Sequence, residues 1–278
     1  MPSPARRLSA SATAVLALGC VALATPAFAF ASKSTRGVVV PKLQSRSVTA
    51  TCPKGEHVSF GGVIAQFASP PHSGPIVLPE GMRRTAPDRW TVTGTSASDV
   101  TGSRLTAEAY CDRGPVSATV SNSAKVAGFR SGSAIATCPA GTIVVGGGYN
   151  AGASKKNQEI VARVAAVSPR QWAATVFNIS AAATTVTALA YCAKHAAVVG
   201  FVTTVTLAAH KGGTARVTCA KGTSLVFGGL DANSPTVGKK VAAIAPFSWT
   251  AASRTQWVVT AYNAGDVAGS IDALAYCG

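Results

Sequence analysis

Two pairs of adjacent cations, Lys155-Lys156 and Lys239-Lys240, stand 16 and 17 residues ahead of Trp172 and Trp257, counted from the second lysine. A third pair, Arg83-Arg84, occupies a later part of the corresponding stretch before Trp90. Cation pairs on three similar loops suit a repetitive polyanion, because several weak charge contacts on one body add up to avidity. Tyr110, Tyr191 and Tyr276 each precede a cysteine on a partly polar strand face, where a sugar ring could stack. Trp249 has no counterpart elsewhere in the chain and is expected to be exposed. Acid–base chemistry is poorly served: six of the ten carboxylates lie before residue 113, and none recurs at matching places. Glu80 with Asp88 is the one pair left to consider for glycoside-type chemistry. There is no Gly-x-Ser-x-Gly elbow, and nothing meets the test of nucleophile, base and orienting group. The four histidines do not match between stretches, and no two cysteines lie within four residues, so tetrahedral zinc spacing is missing. The chain is read as a non-enzyme with no catalytic residue, metal or cofactor.

What positions these residues is a repeat. Cys52, Cys138 and Cys219 each open a segment, with glycine three residues on and a Gly-Gly pair nine and ten residues on. The pairs are Gly61-Gly62, Gly147-Gly148 and Gly228-Gly229, and each segment closes on Ala-Tyr-Cys at Cys111, Cys192 or Cys277. Self-similarity of this kind means one structural unit used three times. The stretches from each tryptophan alternate with period two: Trp90, Val92 and Gly94 share a face, as do Trp172, Ala174 and Val176, and Trp257, Val259 and Ala261. That pattern, rich in β-branched residues, predicts strands with the tryptophan face in the core. Ser96, Asn178 and Asn263, six residues beyond each tryptophan, are turn formers that end the strand. Asn178-Ile179-Ser180 also matches a glycosylation acceptor, and is read here as a turn. In the closing strands Leu105, Ala107, Ala109 and Cys111 point one way, and the thin alanines let a neighbouring strand come close enough for a disulfide. Each Gly-Gly pair marks a bulge or a close approach of backbone.

Two pairing schemes are open for the cysteines. Opening-to-closing pairing within a unit, Cys52–Cys111, Cys138–Cys192 and Cys219–Cys277, gives each unit its own staple. Pairing between neighbours, Cys111–Cys138 and Cys192–Cys219 with Cys52–Cys277 closing a ring, is suggested by the equal inter-unit spacing of 27 residues. The within-unit scheme is the expectation.

The chain opens like a targeting segment. Arg6 and Arg7 precede a small-residue apolar stretch, and Ala27-Phe28-Ala29 supplies a cleavage site, so residues 1–29 read as a signal peptide. Without Cys20, six cysteines remain, an even number that favours disulfides in an exported chain. From Phe30 onward there are 23 basic residues (25 less Arg6 and Arg7) against 10 acidic ones, a charge of +13. Only 13% of residues are charged and 47% are hydrophobic, which excludes a disordered basic tail and describes a folded protein with a cationic surface. Anionic cell-wall polymers or glycans are the partners that such a surface favours, and specific nucleic-acid recognition has no module here.

The second segment, Cys138-Pro139-Ala140-Gly141 with Gly146-Gly147-Gly148, Ser168-Pro169, Trp172, Asn178 and Ala190-Tyr191-Cys192, resembles a repeat of functionally uncharacterised secreted actinobacterial proteins. The third departs from it, with Ala220 in place of proline and Arg254 in place of the proline of Ser-Pro. A fainter resemblance, carried by the Cys-Pro-x-Gly opening and the Ala-Leu-rich closing strand ending in cysteine, is to vitelline membrane outer layer proteins, and it implies a carbohydrate-facing three-fold β-prism.

The expectation is all-β: three tandem, disulfide-stapled antiparallel repeats of about 80 residues, spanning 37–113, 114–199 and 200–278 after a short segment at 30–36. Small sandwiches in a row are the first arrangement, and a closed pseudo-threefold prism is the alternative. The functional expectation is a secreted, non-catalytic binding or structural protein of the cell envelope with basic loops toward an anionic polymer. A lectin-like repeat using the tyrosine faces is the alternative, and an enzyme of wall polymers the outside one. The mature chain has no transmembrane segment in this reading, and its oligomeric state is left open.

Overall fold

Each opening motif folds as a tight turn. Glu56, Thr142 and Thr223 donate backbone N–H groups to the carbonyls of Pro53, Pro139 and Ala220, three residues back. The third residue of each turn is Gly55, Gly141 or Gly222, at φ of +83°, +77° and +88°, the left-handed conformation that a type II turn demands there. The first turn position needs only a carbonyl, which is why Ala220 serves as well as proline.

The computed structural model describes residues 30–66, 77–97, 103–152, 159–194, 198–234, 236–237 and 240–278. The expected signal peptide at 1–29 lies outside them. Each unit contributes six long strands. The first holds β1 (Ser32–Val40), β2 (Ser45–Thr51), β3 (His57–Ala65), β4 (Val77–Ala86), β5 (Arg89–Ser96) and β6 (Ser103–Asp112). The second holds β7 (Ala118–Val126), β8 (Ser131–Thr137), β9 (Ile143–Ala151), β10 (Glu159–Ser168), β11 (Gln171–Asn178) and β12 (Thr184–Ala193). The third holds β13 (Val199–Leu207), β14 (Gly212–Thr218), β15 (Leu225–Asn233), the two-residue β16 (Thr236–Val237) and β17 (Lys240–Val241), then β18 (Ile244–Ser253), β19 (Gln256–Asn263) and β20 (Gly269–Cys277). The segment assigned to 30–36 thus supplies the first half of β1.

Within a unit the strands form two three-stranded leaves, β1-β6-β3 and β2-β5-β4 in the first, and the tryptophan joins them. Trp90, Trp172 and Trp257 lie against Gly61, Gly147 and Gly228, where a Cβ would run into the indole. Each indole N–H then donates to the carbonyl of the second glycine, at 3.3 Å to Gly62, 3.0 Å to Gly148 and 2.9 Å to Gly229. The Gly-Gly pair is therefore a seat for tryptophan inside β3, β9 and β15, and the bulge falls just before it. The disulfides are Cys52–Cys111, Cys138–Cys192 and Cys219–Cys277, with Cα atoms 5.7, 5.7 and 5.8 Å apart, so the within-unit scheme holds. Asn178 and Asn263 are fully buried and close their units. Asn178 Nδ2 donates to Ala127 O and Ala182 O while its Oδ1 accepts from Ser180 N, a turn rather than an acceptor for sugar.

The units do not sit in a row. Each leaf continues edge to edge into a leaf of another unit, giving three six-stranded sheets in the orders β1-β6-β3-β18-β19-β14, β2-β5-β4-β9-β12-β7 and β13-β20-β15-β10-β11-β8. Each sheet therefore draws on two units, and the three joints β3–β18, β9–β4 and β15–β10 close a ring. The sandwich describes the unit, and the closed prism-like arrangement describes the chain. The cause lies in the free edges of the third and fourth strands, whose peptide groups find partners only across the ring.

Candidate binding site

The closing tyrosines are interior pins rather than open faces. Tyr110 and Tyr191 are fully buried and Tyr276 is 9% exposed, which overturns the expectation of three sugar-stacking surfaces. Their hydroxyls cross the joints. Arg84 N donates to Tyr191 Oη at 2.6 Å, Ala251 N to Tyr110 Oη at 2.7 Å, and Tyr276 Oη donates to Ala166 O at 2.8 Å. Burial pushes the Tyr191 and Tyr276 phenols up to about 12. Trp249, expected outside, is completely buried at the β3–β18 joint, with its indole N–H 3.0 Å from Met82 Sδ.

The basic pairs separate. Arg83 and Arg84 lie on β4, not on a loop. Arg83 Nη1 donates to Asn150 Oδ1, and the Arg84 guanidinium stacks 4.5 Å from the Tyr191 ring centre and donates to Ser117 O and Thr119 Oγ1. Both therefore fasten the first unit to the second. Lys240 is exposed on β17, and Lys155, Lys156 and Lys239 lie outside the described residues.

Glu80 and Asp88 do not form a site. Asp88 is half-exposed in the β4–β5 turn, while Glu80 is completely buried, some 20 Å along the hairpin by strand rise. Glu80 instead faces Glu159 of the second unit, beside Tyr149. Thr95 Oγ1 donates to Glu80 Oε2 at 2.5 Å, while among the described residues Glu80 Oε1 has no hydrogen-bonding partner and Glu159 has Thr184 as its polar neighbour. Burial, helped by Glu159 and opposed by Thr95, pushes Glu80 up to about 8, and burial raises Glu159 as well. The register of β3 on β6 brings together another set that sequence order hid, His57 opposite Asp112 with Ser59 beside them in a cavity of about 60 Å³. Burial lowers the His57 pKa against the pull of Asp112. Among the described residues Ser59 Oγ has no hydrogen-bonding partner, so it is not linked to His57 in this arrangement.

An open site with matched chemistry lies at the corner of the first unit, between the edge strands β1 and β2. A groove of about 490 Å³ is lined by Arg36 and Arg89 with Ser47, Thr49, Thr51 and Thr85. Cross-strand hydroxyl pairs order its wall: Ser47 with Thr93, Thr49 with Thr91 and Thr85 with Thr91, each at 2.8 Å. Arg36 makes no hydrogen bond or ion pair with a described residue, and Arg89 meets only half-exposed Asp88, at 4.0 Å. The other units have Asn122 and Thr203 where the first has Arg36, and Gln171 and Gln256 where it has Arg89. Two guanidinium groups among ordered hydroxyls, one unpaired among the described residues and one only loosely paired with Asp88, can hold phosphate, sulfate or carboxylate.

The charges are sorted between inside and outside. Glu80, Glu108 and Glu159 are buried, the Glu56 side chain is 7% exposed, and Asp231 is paired with Arg163. Among the described residues Arg36, Lys42, Arg46, Lys54, Arg104 and Arg216 are exposed cations, whereas Asp266 is an exposed acid and Asp88 a half-exposed one. Among the described residues, no helix is long and apolar enough to cross a membrane. A scan against protein-family models and a search of curated proteins gave no match.

Proposed function

We propose that this chain is an exported, non-catalytic binding or structural protein of the cell envelope whose cationic exterior holds an anionic polymer. The corner groove of the first unit is its best-formed contact. The sorting of charge supports this reading most directly: with several acids turned inward or paired, the surface that carries the charge of +13 from Phe30 onward presents mainly cations. Three disulfides suit an oxidising compartment.

The test is equilibrium binding to a phosphodiester polymer, a polyuronate and a neutral glycan at about 50 and about 500 mM salt, where screening separates charge binding from pocket binding. Binding to the anionic polymers is expected at low salt and to weaken steeply at high salt. Arg36→Gln with Arg89→Gln is expected to cost about tenfold in affinity, the scale of one charge-assisted hydrogen-bonded pair. Absence of binding at low salt, or unchanged binding by the double variant, defeats the reading of the polymer or of the groove respectively.

A further inference from the structure

The pseudo-threefold repeat places three equivalent sites around the closing tyrosines, and among the described residues a cationic side chain occupies two of them. Directly across the ladder from Tyr110, Tyr191 and Tyr276 stand Lys33, Thr119 and Gly200. On the strand that each hydroxyl reaches stand Ala251, Arg84 and Ala166. Over Tyr110, Lys33 Nζ lies 5.6 Å from the ring centre, and the Phe30 ring packs at 4.8 Å. Over Tyr191 the Arg84 guanidinium lies at 4.5 Å, held by Ser117 O, Thr119 Oγ1 and Val58 O. Around Tyr276 the chain offers glycine and alanine at both positions. A pocket of about 240 Å³ opens there, lined by Ala166, Gly200, Val144, Val198, Phe227 and Tyr276 among others. Val144 and Val198 are the register equivalents of Val58 and Ser117, whose carbonyls receive Arg84. Phe227 stacks on the Tyr276 ring at 4.3 Å, as Phe60 does on Tyr110, so the ring is already fixed.

We propose that the pocket over Tyr276 is a binding subsite for an organic cation, a guanidinium or primary ammonium on an aliphatic stem, supplied from outside the chain. The occupants of both sister sites are cations over a tyrosine ring, a contact whose strength comes from the ring quadrupole and grows with desolvation. The valines suit an aliphatic stem. Gly200 leaves the ring approachable, since a Cβ there would sit 3.7 Å from Tyr276 Cε1. This inference is independent of the corner groove and of any polyanion.

The experiment is NMR titration of the whole exported chain, reading the Tyr276 ring protons, with N-acetyl-arginine amide, an arginine-containing tripeptide, glucosamine and neutral N-acetylglucosamine as probes. Saturable shifts with the charged probes and none with the neutral sugar are expected. A response to the arginine probes assigns the cation to a peptide side chain, whereas a response to glucosamine alone, whose ammonium sits on a sugar ring, overturns the aliphatic stem. Ala166→Arg, which copies the Arg84 arrangement, is expected to weaken binding at least tenfold, the worth of about one cation–π contact, without lowering the melting temperature. Gly200→Thr, a smaller filler, keeps the question open to measurement should the arginine variant fold poorly, and is expected to weaken binding as well. Equal response to the charged and neutral sugars, no saturable shift with any charged probe, or full binding by a folded filler variant overturns the proposal.

Discussion

Glu80 carries the clearest single-residue consequence of this fold. Its carboxyl is raised from an ordinary value of 4.5 to about 8 by burial, with Glu159 adding to the shift. An acid whose folded pKa lies above its unfolded one binds more protons when folded. Stability is then full below the unfolded value and is lost as pH rises through the folded one. Folding free energy is therefore expected to fall between about pH 5 and pH 9, by roughly 2–4 kcal/mol at 1.4 kcal/mol per pKa unit after allowing for relaxation. Glu80→Gln, which keeps the shape and the bond to Thr95 without the charge, is expected to flatten that slope. Urea unfolding of both proteins across this range is the check, and a parallel slope in the variant would remove Glu80 as its source. Glu80 was visible in the sequence as an acid without a repeat partner. Its true neighbour, Glu159, was not, because the two meet only across a joint between units.

At the scale of elements, the joints are short. The β3–β18 joint has two registered residue pairs, Trp249 with Val63 and Ser248 with Ile64, and β15–β10 has Arg163 with Asp231 and Val164 with Leu230. Side chains must reinforce so little ladder, and the tyrosine hydroxyls do so from the closing strands. Gly229 also permits the approach, since a Cβ there would press on Val164 O and Ala165. Gly229→Ala is expected to cost about 2 kcal/mol by overpacking against backbone, and Tyr276→Phe about 1 kcal/mol by leaving Ala166 O without its donor. Denaturant midpoints at constant m-value measure both, and a neutral Gly229→Ala would mean that the joint tolerates separation. Strand identity and the tryptophan face were legible because they follow period two, whereas the turn made by each opening Cys-x-x-Gly emerges only from the backbone geometry. The joints were not legible either, since alternation says which face is buried and nothing about which edge meets which. Trp249 illustrates the gap: its lack of repeat partners suggested exposure, while the ring closure gives it a unique interior place. Arg83 and Arg84 misled in the same way, since a cation pair reads alike on a loop and across a joint.

For the whole molecule, ring closure decides how stability is shared. Each six-stranded sheet belongs to two units, and the core runs through all three, with Trp90, Trp172, Trp249 and Trp257 in one connected cluster. Removing a unit would leave the third-strand edge of one neighbour and the fourth-strand edge of the other unpaired, with their apolar faces open to water. The repeats should then behave unlike a solenoid, in which each contacts only its sequence neighbours and unfolds piecemeal. Calorimetry of the oxidised chain is expected to show one transition whose calorimetric and van't Hoff enthalpies agree, the signature of a two-state unit. A chain ended before β13 is expected to aggregate or remain unfolded even with its two disulfides formed, because β3 and β10 lose their partners. Three resolved transitions, or a soluble and folded two-unit chain, would instead return the architecture to sandwiches in a row. The same closure bears on binding. If both proposed sites bind, ring closure places them on one continuous fold and not on separately linked domains.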